Sequence, residues 1–233
     1  MDWYEELDFY DNPLTTNPDD FIEGLIGVDD LQKELFYRVE SGSMVFVEGA
    51  AGLGKTAVLR KVIRQFSGKK KIIYFDCRQV NELDIEKLMR ARYGLLGKLF
   101  NAAPKGMIVL LDNASFLSRK NAEKIKHYFD YGYIRSVVFT GERYSKSSLP
   151  ASVKERIGKK LLLLRRLAED EAVELVKHRL EGMPVVSDEL IKKVFKRSLK
   201  NTKKFIENCE KVCENAVNEK RKEASEEDLK VIK

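Results

Sequence analysis

The chain is expected to fold as an α/β protein, with a parallel five-stranded sheet, helices on both faces, and a small all-helical domain after it. Three observations carry that expectation. Short apolar runs alternate with helical patterns up to residue 164, which is the signature of strands laid parallel by helical crossovers. One of those runs leads into the loop Gly49-Ala50-Ala51-Gly52-Leu53-Gly54-Lys55-Thr56. From Glu169 onward only helical patterns are found.

The elements follow in order. Asn12-Pro13 and Asn17-Pro18 are turn signals, so residues 1–20 read as an irregular arm with Trp3, Tyr4, Phe9 and Tyr10 as aromatic anchors. A helix is expected from Asp29 to Val39, ended by Ser41-Gly42-Ser43. Met44–Val47 is the first strand. A helix follows the loop, with Val58, Leu59, Val62, Ile63 and Phe66 on one face. Ser67-Gly68 closes it, and Lys71–Phe75 is the second strand. Asp84–Leu99 reads as a helix. Pro104-Lys105-Gly106 turns the chain into a third strand, Met107–Leu111, ending at Asp112. A helix over Asn121–Tyr131, a strand over Ser136–Thr140, a short helix over Pro150–Ile157 and a strand over Lys160–Leu164 complete the α/β region, 21–166. The helical domain, 167–233, has helices over Glu169–Leu180, Ser187–Ser198 and Asn201 to about Lys222, with a short piece from Ser225.

Composition bounds the function. Apolar residues make up 43% of 233, enough for a sizeable core. No apolar run approaches the length of a membrane span, and the acidic N-terminus has no signal-peptide pattern, so a cytoplasmic setting without membrane insertion is expected. Three cysteines give no disulfide framework. Cys209 and Cys213 lie four apart on a helix and read as packing residues. Charge is uneven: residues 1–40 carry 12 acidic and 2 basic residues, a balance of −10, while the rest carries +16, for a net +6. Such a basic body suits DNA or another polyanion. It equally suits a Lys/Glu-rich solvated surface of a heat-adapted protein.

The loop has the full G-x-x-x-x-G-K-[ST] spacing. Glycines allow the backbone to wrap a polyphosphate so that successive N–H groups point inward. The following helix N-terminus adds its positive dipole end. Lys55 is expected to reach the β- and γ-phosphates and the Thr56 hydroxyl to ligate Mg²⁺. Gly49, Ala50, Ala51, Gly52, Leu53, Gly54, Lys55, Thr56 and Ala57 are then the cofactor-binding residues. Asp112, a carboxylate at the tip of a buried strand, is the second expected metal residue, holding Mg²⁺ through water.

With both motifs in place, the chain resembles the AAA+ superfamily of ATPases, a branch of the P-loop NTPases, over about Phe21 to Ile232. The resemblance implies ATP/ADP and Mg²⁺ as cofactors. It makes the loop Walker A and Ile108–Asp112 Walker B. Thr140 matches the polar sensor of the fourth strand, Arg156 the arginine that reaches a neighbouring subunit's nucleotide, and Lys203 the basic sensor of the helical lid. The expected catalytic set is therefore Lys55, Asp112, Asn113, Thr140, Arg156 and Lys203. The lid pattern is similar to archaeal origin-recognition initiators and other DNA-associated ATPases, without the C-terminal winged-helix domain those initiators carry. The Asn12-Pro13-Leu14 arm also resembles that of ATPases from secretion and transposition systems.

One departure bears on rate. The family has Glu directly after the Walker B Asp, and this chain has Asn113. A neutral amide positions water but does not take its proton. The expectation is a nucleotide-dependent switch with slow hydrolysis, self-associating through Arg156, with DNA or another protein as partner. Glu142 is the nearest carboxylate in sequence that could substitute. The competing readings are a nucleic-acid-binding or adaptor module in which nucleotide is mainly structural, and a small-molecule kinase.

Overall fold

Five strands rich in Val, Ile, Leu and Phe, residues that favour a pleated buried surface, form one sheet in the computed structural model, which describes residues 2–21, 24–68, 72–79, 85 and 105–232. The strands are β1 (Met44–Glu48), β2 (Ile72–Asp76), β3 (Met107–Asp112), β4 (Ile134–Gly141) and β5 (Leu161–Leu163). They pair in the order β2-β3-β4-β1-β5, every pair parallel. Parallel strands need both faces covered, and β3 is buried at all six positions.

The helices are α1 (Asp29–Glu40), α2 (Lys55–Phe66), α3 (Arg119–Asp130), α4 (Ala151–Ile157), α5 (Glu169–Arg179), α6 (Asp188–Arg197) and α7 (Thr202–Asn218). Apart from Ile85, the helix expected over Asp84–Leu99 lies outside the described residues.

The chain divides into two compact units. One comprises Asp29–Ala50 and Val58–Leu164 and contains the sheet. On one face of its sheet, Met44, Phe46, Val109, Leu111, Val137 and Phe139 meet Ile125 of α3 and Val153 and Ile157 of α4. Toward the other, Phe36 of α1 and Phe66 of α2 meet edge to face at 5.9 Å. The Ser136 hydroxyl donates to the Val39 carbonyl at 2.5 Å, tying β4 to the end of α1. β4 is longer than the Ser136–Thr140 expectation because Ile134, buried, pairs with Met107.

The other unit comprises Met1–Val28, Ala51–Ala57 and Arg165–Lys233. Its core packs Val176 of α5, Phe195 of α6 and Phe205 and Val212 of α7 together with Trp3 and Leu14 of the arm. Cys209 and Cys213 are buried in the same core. The arm is held by polar contacts as well. Asn12 Nδ2 donates to Glu210 Oε1 at 2.6 Å. Arg179 donates to the Thr15 carbonyl at 2.7 Å and stacks 4.3 Å over the Phe21 ring. Burial pulls its guanidinium down to about 10. Of the four expected anchors, Tyr10 is corrected: it is 96% exposed. Its neighbour Phe9 is partly buried against the core.

The C-terminal segment also differs from expectation. α7 stops at Asn218, and Lys220 takes a left-handed φ of 57°. The chain then folds back so that buried Asp228 accepts from Arg221, Asn215 and the Ser225 amide. Arg221 foremost holds the Asp228 carboxyl far below the usual carboxylate range. The piece after Ser225 is a 3-10 turn, Glu226–Val231, in place of an α-helix.

If the arm is part of the helical core, Leu14→Ala, at a side chain with 0% exposure, should lower stability by about 2–5 kcal/mol. The drop is read from a thermal or urea unfolding midpoint. A change typical of a surface position would show that the arm contributes nothing to that core.

Candidate functional site

Because the strands all run the same way, their C-terminal ends share one edge of the sheet, where ligands of open α/β sheets bind. Two acidic residues end adjacent strands there in direct register, Asp76 of β2 and Asp112 of β3. Thr140 follows Phe139, the partner of Leu111, and so reaches the same place from β4.

Asp112 is 1% exposed, and a buried carboxylate requires donors. Its Oδ1 accepts from the Thr140 hydroxyl at 2.5 Å and from the Asn113 amide at 3.0 Å. Its Oδ2 accepts from the Tyr74 hydroxyl at 3.2 Å. Burial, then the Asp112 charge, raises the Tyr74 hydroxyl far above its ordinary value, so it stays a donor. The Arg60 guanidinium stacks 4.2 Å over the Tyr74 ring.

Asp76 is 6% exposed. Arg78 holds it with Nη2 at 2.6 Å, Nε at 3.1 Å and its own backbone N–H at 3.1 Å. These bonds, led by the Arg78 side chain, hold the Asp76 carboxyl below the usual range. Between the two strands, Cys77 donates its amide to the Asp112 carbonyl at 2.9 Å. Burial, then the charges of Asp76 and Asp112, pushes the Cys77 thiol up to about 12, so it is inert.

Asn113 joins the two carboxylates. Its backbone N–H is shared between Asp112 Oδ1 and Thr140 Oγ1, both at 3.0 Å, and its side-chain Nδ2 donates to Asp76 Oδ1 at 3.1 Å. It adopts a left-handed conformation, φ 56° and ψ 51°, which Asn tolerates better than most residues. A 3-10 turn, Ala114–Phe116, follows.

The glycine-rich loop leaves the end of β1. The Gly49 amide donates to the Gly141 carbonyl at 3.1 Å, which sets the loop's start at the same sheet edge; Ala50, next, is exposed. Gly52 and Gly54 have φ of +75° and +100°, where an L side chain is strained. At Gly52 a Cβ would also come within 2.4 Å of Asn201 Oδ1, whereas no described atom lies within 4 Å of one at Gly54. Lys55, 8% exposed, opens α2, and Thr56 and Ala57, both half-buried, fill its first turn. Leu53 lies between the two glycines.

The loop and the start of α7 belong to one unit and touch. Asn201 caps α7 by accepting from the Lys204 amide at 3.0 Å and donates Nδ2 to the Ala51 carbonyl at 2.8 Å. The Lys203 amide donates to the Gly52 carbonyl at 2.9 Å. Lys203 therefore meets the loop through its main chain, while its ammonium lies 3.8 Å from Glu207 on the same helix.

Asp112, Asn113 and Thr140 are thus brought into one hydrogen-bonded group. Arg156 lies on α4, half-exposed, and pairs with Asp130 of α3 at 2.9 Å. Glu142 is exposed beyond the end of β4. The sequence reading missed Asp76 and Tyr74. The available signal was the acid at the tip of the apolar run Ile72–Phe75, the same pattern that singled out Asp112.

The family model described as an AAA domain matches residues 41–169, more than half of the chain. Among curated proteins none matches. Several solved structures share the fold. The Orc1 protein of Aeropyrum pernix, solved in complex with DNA, has a TM-score of 0.74 at 16% identity, over 94% of this chain and 67% of that one. Cdc6p of Pyrobaculum aerophilum has a TM-score of 0.75 at 14% identity, over 93% and 68%. Domain III of the replication initiation protein DnaA of Thermotoga maritima has a TM-score of 0.67 at 18% identity, over 93% and 96%.

Thr140→Val keeps the shape of the side chain and removes a donor to buried Asp112. It should cost about 1–3 kcal/mol of stability, measured by denaturant unfolding. An unchanged midpoint would mean the Thr140–Asp112 bond is not made in solution.

Proposed function

The chain belongs to the AAA domain family, and on that premise we propose that it is a nucleotide-dependent switch that binds ATP with Mg²⁺ and hydrolyses it slowly. The AAA+ ATPase fold implies a nucleotide and, usually, magnesium. The observation that carries the reading is the loop itself: left-handed Gly52 and Gly54, open space at Gly54, and Lys55 at the head of α2. That arrangement suits a polyphosphate, because amides and the helix N-terminus supply positive potential and, among the described residues, no atom crowds Gly54.

The roles follow the motif. Gly49 to Ala57 cradle the nucleotide, Lys55 neutralises the phosphates, and Thr56 and Asp112 hold Mg²⁺, Asp112 through water. When bound, the ion supplies charge neutralisation at the phosphate oxygens. Thr140 orients Asp112 from the neighbouring strand. Lys203 is the proposed lid sensor. The direct contacts of Asn201 and Lys203 with the Ala51 and Gly52 carbonyls support a lid that responds to the loop. A nucleotide biases such an element only through different contacts in its two states. We assign Arg156 to completing the site of an adjacent subunit, a contribution of about 10³–10⁵ in rate where it occurs. Its Asp130 partner would have to be exchanged on assembly.

Slow turnover rests on Asn113. A general base contributes about 10²–10⁴-fold, and an amide supplies none of that. The basic balance of +16 after residue 40 supports DNA as a partner. Orc1 of Aeropyrum pernix was solved with DNA bound, in keeping with that choice. The same charge supports a second reading, a nucleic-acid-binding or adaptor module in which nucleotide is mainly structural. DNA affinity that is salt-dependent but indifferent to nucleotide would favour it. Among the described residues no helix is long and apolar enough to cross a membrane, and we place the protein in the cytoplasm.

Lys55→Ala should reduce magnesium–ATP affinity at least tenfold in a titration with a fluorescent nucleotide. Full affinity in that variant, or none in the wild type, overturns the assignment. Steady-state phosphate release should be slow in the wild type. A brisk wild type, unchanged by Asn113→Glu, would refute slow turnover.

A further inference from the structure

β5 is an edge of the sheet, paired with β1 alone. Two bonds fix how it lies: the Phe46 amide donates to the Lys160 carbonyl at 3.1 Å, and the Leu164 amide to the Glu48 carbonyl at 2.7 Å. Alternate residues of a strand turn their backbone groups to opposite sides. Lys160, Leu162 and Leu164 therefore face β1, and the N–H and C=O groups of Leu161 and Leu163 face away from the sheet. Among the described residues no strand lies on that side. The two side chains share one face of the sheet, that of Phe46, which is in register with Leu161 and packs with α3 and α4. Leu161 and Leu163 are 42% and 67% exposed. Proteins blunt an edge with a charge, a proline or a bulge on the strand. β5 has none of these, being Leu161-Leu162-Leu163 in unbroken register.

We propose that this edge binds an extended segment of a partner protein as a sixth strand, a segment with apolar residues at alternate positions and carboxylates at its ends. Outward backbone groups of an edge are matched by an added strand, and alternate side chains supply the selectivity. Charge narrows the partner further. Lys159 and Lys160 lead into β5, and among the described residues neither has an ion-pair partner. Glu48, in register with Leu163, is already engaged by the Tyr144 amide at 2.7 Å. A second copy of this chain fits less well. Antiparallel pairing of β5 with itself about Leu162 sets Lys159 opposite Arg165, and parallel pairing sets the lysines beside one another; like charges placed opposite destabilise a pair of strands. A nucleic acid would answer the lysines but leave the leucines exposed and the outward carbonyls without a row of donors. An extended peptide with acidic ends answers all three. Binding here needs no nucleotide, because the edge belongs to the sheet alone.

The test uses the full-length chain and three fluorescein-labelled peptides, with binding read by anisotropy. All are built on the core Val-Thr-Val-Thr-Val. One carries two glutamates at each end, one carries two lysines at each end, and one is glutamate-ended with proline in place of both threonines. The first should bind at least tenfold more tightly than either of the others. Leu163→Pro deletes one outward N–H and none that faces β1, a change an edge strand tolerates. It should weaken the first peptide about tenfold with the unfolding midpoint nearly unchanged. Lys159→Glu combined with Lys160→Glu leaves the strand intact and should exchange the preference, so that the lysine-ended peptide binds more tightly than the glutamate-ended one. If Leu163→Pro lowers the midpoint, this exchange decides alone. No binding of the first peptide overturns the proposal. So does equal binding of the proline peptide, which would mark attraction by charge only, and so does a preference that survives the charge reversal. Wild-type affinity in a folded Leu163→Pro overturns it as well. A single-stranded oligonucleotide that displaces the peptide would assign the edge to nucleic acid, and a dimer in sedimentation that Leu163→Pro dissolves would assign it to a second copy; either result overturns the proposal.

Discussion

Two carboxylates that end adjacent parallel strands repel each other wherever both are charged, and in a buried place that repulsion is weakly screened. Asp76 and Asp112 are in this position, paired in register and almost fully buried. The surrounding residues answer that constraint. Thr140 and Tyr74 donate to Asp112, Arg78 donates to Asp76, and Asn113 donates to both. An asparagine at position 113 suits this place on physical grounds. Glutamate there would add a third acceptor-only group to a pair already in need of donors, on a left-handed backbone that it adopts less readily than asparagine. Asparagine adds a side-chain N–H donor to the backbone one and tolerates the conformation.

The same logic of donors and acceptors operates in the unit that contains the loop. The start of a helix leaves N–H groups without partners, and α7 gives one of them, that of Lys203, to the Gly52 carbonyl. Asn201 acts both as cap and as donor to Ala51. The carbonyls of Ala51 and Gly52 thereby face the start of α7. The N–H groups of the same two peptide units, those of Gly52 and Leu53, point the opposite way within the peptide plane. The cap of α7 and the path of the loop through Ala51 and Gly52 are thus tied together. The bulk at Gly52 is limited for the same reason: Asn201 occupies the space a side chain would take.

Much of this was legible in the sequence. Strands β1 and β3 are apolar at nearly every position and bounded by glycine or acid, which is how doubly covered parallel strands read. The loop was identifiable because its chemistry demands glycines and lysine at fixed spacing. The ends of elements were less accurate. β4 gained residues through pairing with β3, a partner 27 positions away in the Met107–Ile134 pair, and α7 lost its last turn to the Arg221–Asp228 contact. The arm was read as irregular, and it carries one 3-10 turn, Glu5–Leu7. Its aromatic content pointed to anchoring, but only the fold decides that Trp3 is buried and Tyr10 is not.

Asp76 was missed for a specific reason. Its significance comes from lying beside residue 113, and that neighbour is set by the register of β2 on β3, which no local pattern encodes. A lone acid at a strand end is common and usually means nothing. Two such acids on strands that turn out to be adjacent form an electrostatic problem, and Asn113 supplies a donor to each of them.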